Sequence, residues 1–157
     1  MKKTWCVLLI TALIIAFYGC STAGDEKKKI YSDDELIRSK GDSFSFQDRT
    51  GETGDSQIEV KYSKFIGDQT IWNIAVDKQG EIKFEFKSDV DSGKFKGVLI
   101  PESGDITTVF EGSKEGSHMV VLPEGKYRFK IVGNNASGEI KIDLILGKEM
   151  KSTAVED

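Results

Sequence analysis

Trp72-Asn73-Ile74-Ala75-Val76-Asp77-Lys78-Gln79-Gly80-Glu81-Ile82-Lys83-Phe84-Glu85-Phe86 sets the structural period of this chain at two. Successive side chains on an extended backbone face opposite ways, so Trp72, Ile74 and Val76 share one face. Ile82, Phe84 and Phe86 do the same on the far side of Asp77-Lys78-Gln79-Gly80. That junction is polar, ends in glycine and has the length of a hairpin turn. The stretch predicts two strands, each with one buried face.

The same alternation extends both ways. Upstream it runs through Phe44 and Phe46, then Ile58, Val60 and Tyr62. Downstream, Phe95 to Ile100 is denser in apolar residues and stops at Pro101, as expected of a strand buried on both faces. Ile106–Phe110, His118–Leu122, Tyr127–Ile131 and Ile140–Leu146 follow. Glu102-Ser103-Gly104-Asp105, Pro123-Glu124-Gly125 and Gly133-Asn134-Asn135 supply the turns. Short strands at spacings of ~8–12 residues predict an all-β domain over 43–146, an antiparallel β-sandwich of about nine strands, jelly-roll or immunoglobulin-like. Residues 147–157 lose the alternation and read as a polar C-terminal tail.

Part of this pattern resembles the bacterial pre-peptidase C-terminal type of sandwich domain. The resemblance lies in Gly80–Phe84, in Val98–Pro101 with Gly104, in Leu122–Phe129 and in Gly138–Ile140, under half the chain. It implies a non-catalytic sandwich that accompanies or binds something at the cell envelope. It carries no functional residue across.

The N-terminus has a different grammar. Met1-Lys2-Lys3 precedes an apolar run, Val7–Tyr18, then Gly19 and Cys20, after which the chain turns polar. A positive start, a short apolar core and a small residue at the cut describe an export signal over 1–19. The run falls short of the ~20 residues that a spanning helix needs. Cysteine directly after the cut resembles the lipobox of bacterial lipoproteins, although Phe17 and Tyr18 depart from its usual Leu and small residue. The resemblance implies lipid attachment at Cys20 and a place on the extracytoplasmic face of the cell membrane. Cleavage after Ser21-Thr22-Ala23, giving a secreted protein, is the alternative. With Cys6 inside the signal, the mature chain would hold one cysteine and no internal disulfide.

Residues 20–42 read as a polar linker carrying one short helix near 33–40. Ser21–Lys29, with Lys27-Lys28-Lys29, is expected to tether the domain off the membrane. Ser32 and Glu35 have capping-box spacing, and Tyr31 with Leu36 that of a hydrophobic staple. The helix is expected to dock through Leu36 and Ile37, or to fray.

Charge narrows the partners. The chain has 22 basic residues against 26 acidic, net −4, and loses Lys2 and Lys3 with the signal, leaving −6. That balance disfavours nucleic acid, whose phosphates call for a positive surface. The partners expected are the membrane, through lipid on Cys20, and an envelope protein or small ligand.

Catalytic and metal motifs are sparse, and no cofactor is implied. Asp89-Val90-Asp91-Ser92-Gly93 opens like a calcium loop, so Asp89 and Asp91 are weak metal candidates. Gly93 and Ile100 stand where further ligands belong. Gly41-Asp42-Ser43 and Gly54-Asp55-Ser56 read as turns, not esterase blocks. Ser117 and His118 adjoin on one strand and so face opposite sides. Paired carboxylates acting as a hydrolase are the catalytic alternative, but sequence alone selects no pair; a purely structural envelope role is the third reading. Phe65 is out of phase with Ile58, Val60 and Tyr62. An exposed Phe65–Ile66 tip would be a ligand contact, whereas a strand bulge would bury Phe65.

Overall fold

The computed structural model describes residues 22–155; the stretch expected to be an export signal and Cys20 lie outside them. Two short helices, α1 (Thr22–Ile30) and α2 (Asp34–Arg38), precede eight antiparallel strands. These are β1 (Ser43–Ser45), β2 (Asp48–Thr53), β3 (Gln57–Val76), β4 (Gly80–Pro101), β5 (Thr107–Glu111), β6 (Lys114–Leu122), β7 (Gly125–Leu146) and β8 (Met150–Ala154). The all-β antiparallel expectation holds, with eight strands in place of about nine.

The difference has two sources: β2 and β8 are additional to the expected strands, and three long strands each merge two that were expected. β3, β4 and β7 are 20 to 22 residues long, and each takes up two of the strands expected from the sequence. All three bend at one level without leaving the ladder. Register shifts fall between Tyr62 and Phe65 and between Phe65 and Gly67 on β3, and between Val90 and Lys94 on β4. On β7 the same level holds Asn135 at φ 53° and Gly138 at φ 157°. Bulges bend a strand and raise its twist, so one sheet doubles over into two facing layers. One layer is β2, the first half of β3, the second half of β7, the first half of β4, and β6. The other is β8 and β1, then the second half of β3, the first half of β7, the second half of β4, and β5.

Asp77–Gln79 is therefore no hairpin. Val76 pairs with Gly125 in one layer and Gly80 with Leu122 in the other, so the junction crosses between layers. Alternation names the face of each residue but not the neighbour of its strand.

Between the layers lies an aromatic core. Phe84 meets Phe129 at 5.0 Å and Phe86 meets Phe110 at 4.9 Å, each pair joining one layer to the other. Phe65 is fully buried at the bulge, stacked on Phe46 at 4.5 Å. The bulge holds Lys64 at φ 53°, with its N–H donating to Ser137 Oγ. That extra residue turns Phe65 inward, so it offers nothing to a ligand. Gly133 sits against the Phe65 ring, and an added Cβ would overlap it. Gly133→Ala should cost about 1–3 kcal/mol, as overpacking does, and Phe65→Leu in the same chain should recover part of it. Urea midpoints of the single and double variants check this; additive losses would place the strain elsewhere.

The helices cover the outer face of the second layer. Ile30, Tyr31 and Ile37 bury themselves on Val98, Ile100 and Val132. The stretch Phe95–Ile100 is thus buried on both faces, as its composition predicts. Tyr31 donates from its hydroxyl to Glu111 Oε1 at 2.7 Å and lies 4.9 Å under Lys96 Nζ. Burial and that carboxylate both push its phenol up. α2 is capped by Asp33, not Ser32: its carboxylate accepts from the Glu35 and Leu36 amides. Ile37 docks, whereas Leu36 stays exposed. The expected tether is instead helix α1, anchored at Ile30 and by Lys27 Nζ donating to Phe44 O. The expected tail holds β8, which pairs with Trp72–Val76.

Candidate functional site: a basic groove beside α2

Residues 126–130 of β7 alternate between the two faces of the second layer. Tyr127 and Phe129 point into the core, which turns Lys126, Arg128 and Lys130 outward onto the face that α2 partly covers. Lys130 is the innermost of the three and is fully buried. Its Nζ lies 2.6 Å from Asp68 Oδ2, 3.1 Å from Asp42 Oδ1 and 3.1 Å from Ser39 O. Asp42 also accepts from the Thr70 amide and the Thr70 hydroxyl, each at 2.7 Å, and Asp68 accepts from the Ser43 amide. Burial pushes the Asp68 carboxyl above its usual value, with Lys130 and the Ser43 amide opposing.

Asp42 and Asp68 are a carboxylate pair, but both serve Lys130. Neither lines the groove beside α2. What the cluster does is pin residues 39–43 onto the sheet.

Arg128 completes that work. Its guanidinium donates to Ser39 O at 2.7 Å and Arg38 O at 2.6 Å, closing the C-terminal end of α2 where carbonyls lack helical partners. Arg38 and Lys40 are thereby held as one wall of an open groove of about 870 Å³.

The floor comes from the ladder. Thr153, Asn73, Arg128 and Ile100 form one cross-strand row, and Lys151, Ala75 and Lys126 the next. Neighbouring strands stand ~4.8 Å apart, so Lys126 and Lys151 flank Ala75 about 10 Å from each other. Five cations line the groove, Arg38, Lys40, Lys126, Arg128 and Lys151, against one acid, Glu102. Among the described residues, none of the five has a carboxylate within ion-pair distance. On the opposite outer face, by contrast, Lys61 pairs with Glu139 at 3.2 Å and Lys141 with Glu59 at 3.3 Å. In an acidic protein, the groove gathers five cations against one carboxylate.

The residues singled out by sequence are scattered. Cys20 lies outside the described residues. Phe65 is core, and Ile66 is half-buried opposite Ser45. Asp89 and Asp91 are exposed beside the β4 bend, and no group of three metal-ligating side chains occurs among the described residues. No described helix is long and apolar enough to cross a membrane. The groove residues themselves were missed. The available signal was the period-two basic stripe Lys126, Arg128, Lys130 on a strand whose other face is aromatic.

No protein-family model matches the chain, and no curated protein sequence matches it. Among solved structures, it is similar to a family 35 carbohydrate-binding module from Cellvibrio japonicus, at 11% identity and TM-score 0.39, over 76% of this chain and 96% of that one. A carbohydrate-binding module of a Cellvibrio mixtus lichenase, solved with cellotriose, matches at 12% identity and TM-score 0.34. That match covers 71% of this chain and 92% of the other. Identity at this level transfers no residue role.

Proposed function

We propose that this protein is a lipid-anchored lipoprotein of the cell envelope, held through lipid on Cys20, whose non-catalytic β-sandwich binds a ligand or envelope partner in the groove beside α2. The observation that carries the binding reading is the set of five cations, unmatched by carboxylates, around a floor of Ala75, Asn73 and Ile100. Pockets with an apolar floor and a few convergent polar groups are the usual form of a binding site. The anchor rests on the signal pattern ending at Cys20. Two acyl chains hold where one does not, each buried methylene being worth about 0.8 kcal/mol. With α1 beginning at Thr22, Ser21 alone separates the acylated cysteine from a docked helix, so the domain would lie close to the bilayer.

One experiment addresses both parts. An acylated Cys20 leaves the mature chain without a free thiol, so Asn73→Cys introduces a single reactive site on the groove floor. Coupled to a photo-crosslinker in native membranes, it should capture a defined species that the same label at Glu115→Cys, on β6, does not. Equal capture at both positions, or none, removes the groove from this reading. Thiol labelling of the unsubstituted protein would instead remove the lipid.

A further inference from the structure

We infer that the groove takes a polymer bearing a negative charge on each repeat, a phosphodiester or carboxylate chain, an inference that rests on the groove being the binding site. Arg38, Lys40, Lys126 and Lys151 ring a trough in which like charges gather against a single acid, Glu102, and none of the four is ion-paired among the described residues. Such a site concentrates anions. Arg128 acts differently: its fork is engaged by the carbonyls of Arg38 and Ser39, making it a positioning residue for the α2 wall. Two of the three arginines in the chain thus serve this one feature.

The geometry selects among anions. A planar headgroup surface meets basic side chains that protrude, whereas these line a recess between α2 and the sheet. An extended peptide would seek free main-chain groups, but β3 and β7 at the centre of the floor spend theirs on the ladder, and on the outer edge of β8 the Ala154 amide is taken by Asp55. Single-stranded nucleic acid draws much of its affinity from bases stacked on aromatic faces. Tyr127 is the one aromatic residue of the groove; it is buried, with its hydroxyl on Pro123 O. A neutral glycan has no charge to answer four free cations. A flexible polyanion satisfies all of these constraints, and Asn73 and Thr153 add neutral hydrogen-bonding groups along the row.

The test is titration calorimetry of the full-length protein in detergent, with polygalacturonate and inorganic polyphosphate as separate probes. At least one should bind, and its log affinity should fall with log salt at a slope of about −2, as expected for some three charges neutralised on a flexible chain. Lys126→Glu with Lys151→Glu should weaken binding roughly 30-fold, the sum of two lost charge-assisted contacts. Lys87→Glu with Lys114→Glu makes the same change of net charge on exposed residues of the first layer, away from the groove on the second, and should leave it nearly unchanged. Whichever probe binds tells phosphate from carboxylate. Failure of both probes overturns the inference, as does equal weakening in the control pair, competition by monomeric phosphate at equal charge, or tighter binding of oligothymidylate. If the Asn73 crosslink forms while both polymers fail, this inference falls alone; if the crosslink fails as well, the groove falls with it.

Discussion

Lys130→Met should destabilise the domain by about 3–5 kcal/mol, the range for removing one partner of a buried ion pair. The side chain is fully buried, Asp68 is 1% exposed, and Asp42 faces the same ammonium with 21% of its side chain exposed. Methionine fills the volume and leaves two carboxylates facing each other. The deficit should shrink on acidification, and the sign follows from Asp68. Burial already raises its folded pKa above 3.8, and the opposing influence of Lys130 is lost in the variant. The folded variant then holds a proton on Asp68 more tightly than the unfolded chain does. Its stability therefore rises as pH falls from the raised value toward 3.8. Lys130→Met with Asp68→Leu should regain most of the loss, because a buried pair replaced as a unit by apolar groups is often neutral. Urea midpoints at constant m measure all three. A single variant within 1 kcal/mol of wild type near neutral pH would show that the cluster is not holding the fold. The groove should suffer too, since Lys130 and Arg128 share Ser39 O and so fix Arg38 and Lys40.

How far the sequence discloses this molecule depends on what each residue's signal is about. Trp72, Ile74, Val76, Phe84 and Phe86 announce an inward face, and all are buried. Phe95–Ile100 announces two covered faces and has them. Both readings depend on period and composition, which are local. Strand partners are not local, so Asp77–Gln79 resembles a hairpin turn while crossing between layers. Bulges hide for a related reason. Ile71 is the extra residue between Thr70 and Trp72, and it shifts Asp68 and Thr70 to the outer face beside Lys130. Nothing in Asp68-Gln69-Thr70 alone signals a buried ion pair. The groove was least legible of all, because its walls come from a segment read as linker and another read as tail. Lys40 and Lys151 stand 111 positions apart and meet only through α2 docking and the pairing of β8 with β3.

Trp72→Ala should cost about 3–5 kcal/mol, the range for deleting a large buried aromatic side chain. Trp72 is fully buried, packs on Phe129 at 5.3 Å, and sits where β8, β3 and β7 run side by side. Phe129 in turn meets Phe84 of the facing layer, so the void would open at the contact that keeps the doubled sheet closed. The indole does a second job. Its Nε1 donates to Gly54 O at 2.7 Å, reaching from one layer to the β2–β3 turn of the other. Trp72→Phe separates the two roles: it keeps most of the ring and removes the donor, and should cost about 1–3 kcal/mol if Gly54 O is left without a partner. The melting temperature of the alanine variant should fall by roughly 10–20 °C on the scaling for domains of this size. An alanine variant no worse than the phenylalanine one would mean that the layers are held by their continuous ladder and not by the aromatic contact between them. In that case the binding proposed for the groove, built on the outer face of the same strands, should survive the substitution.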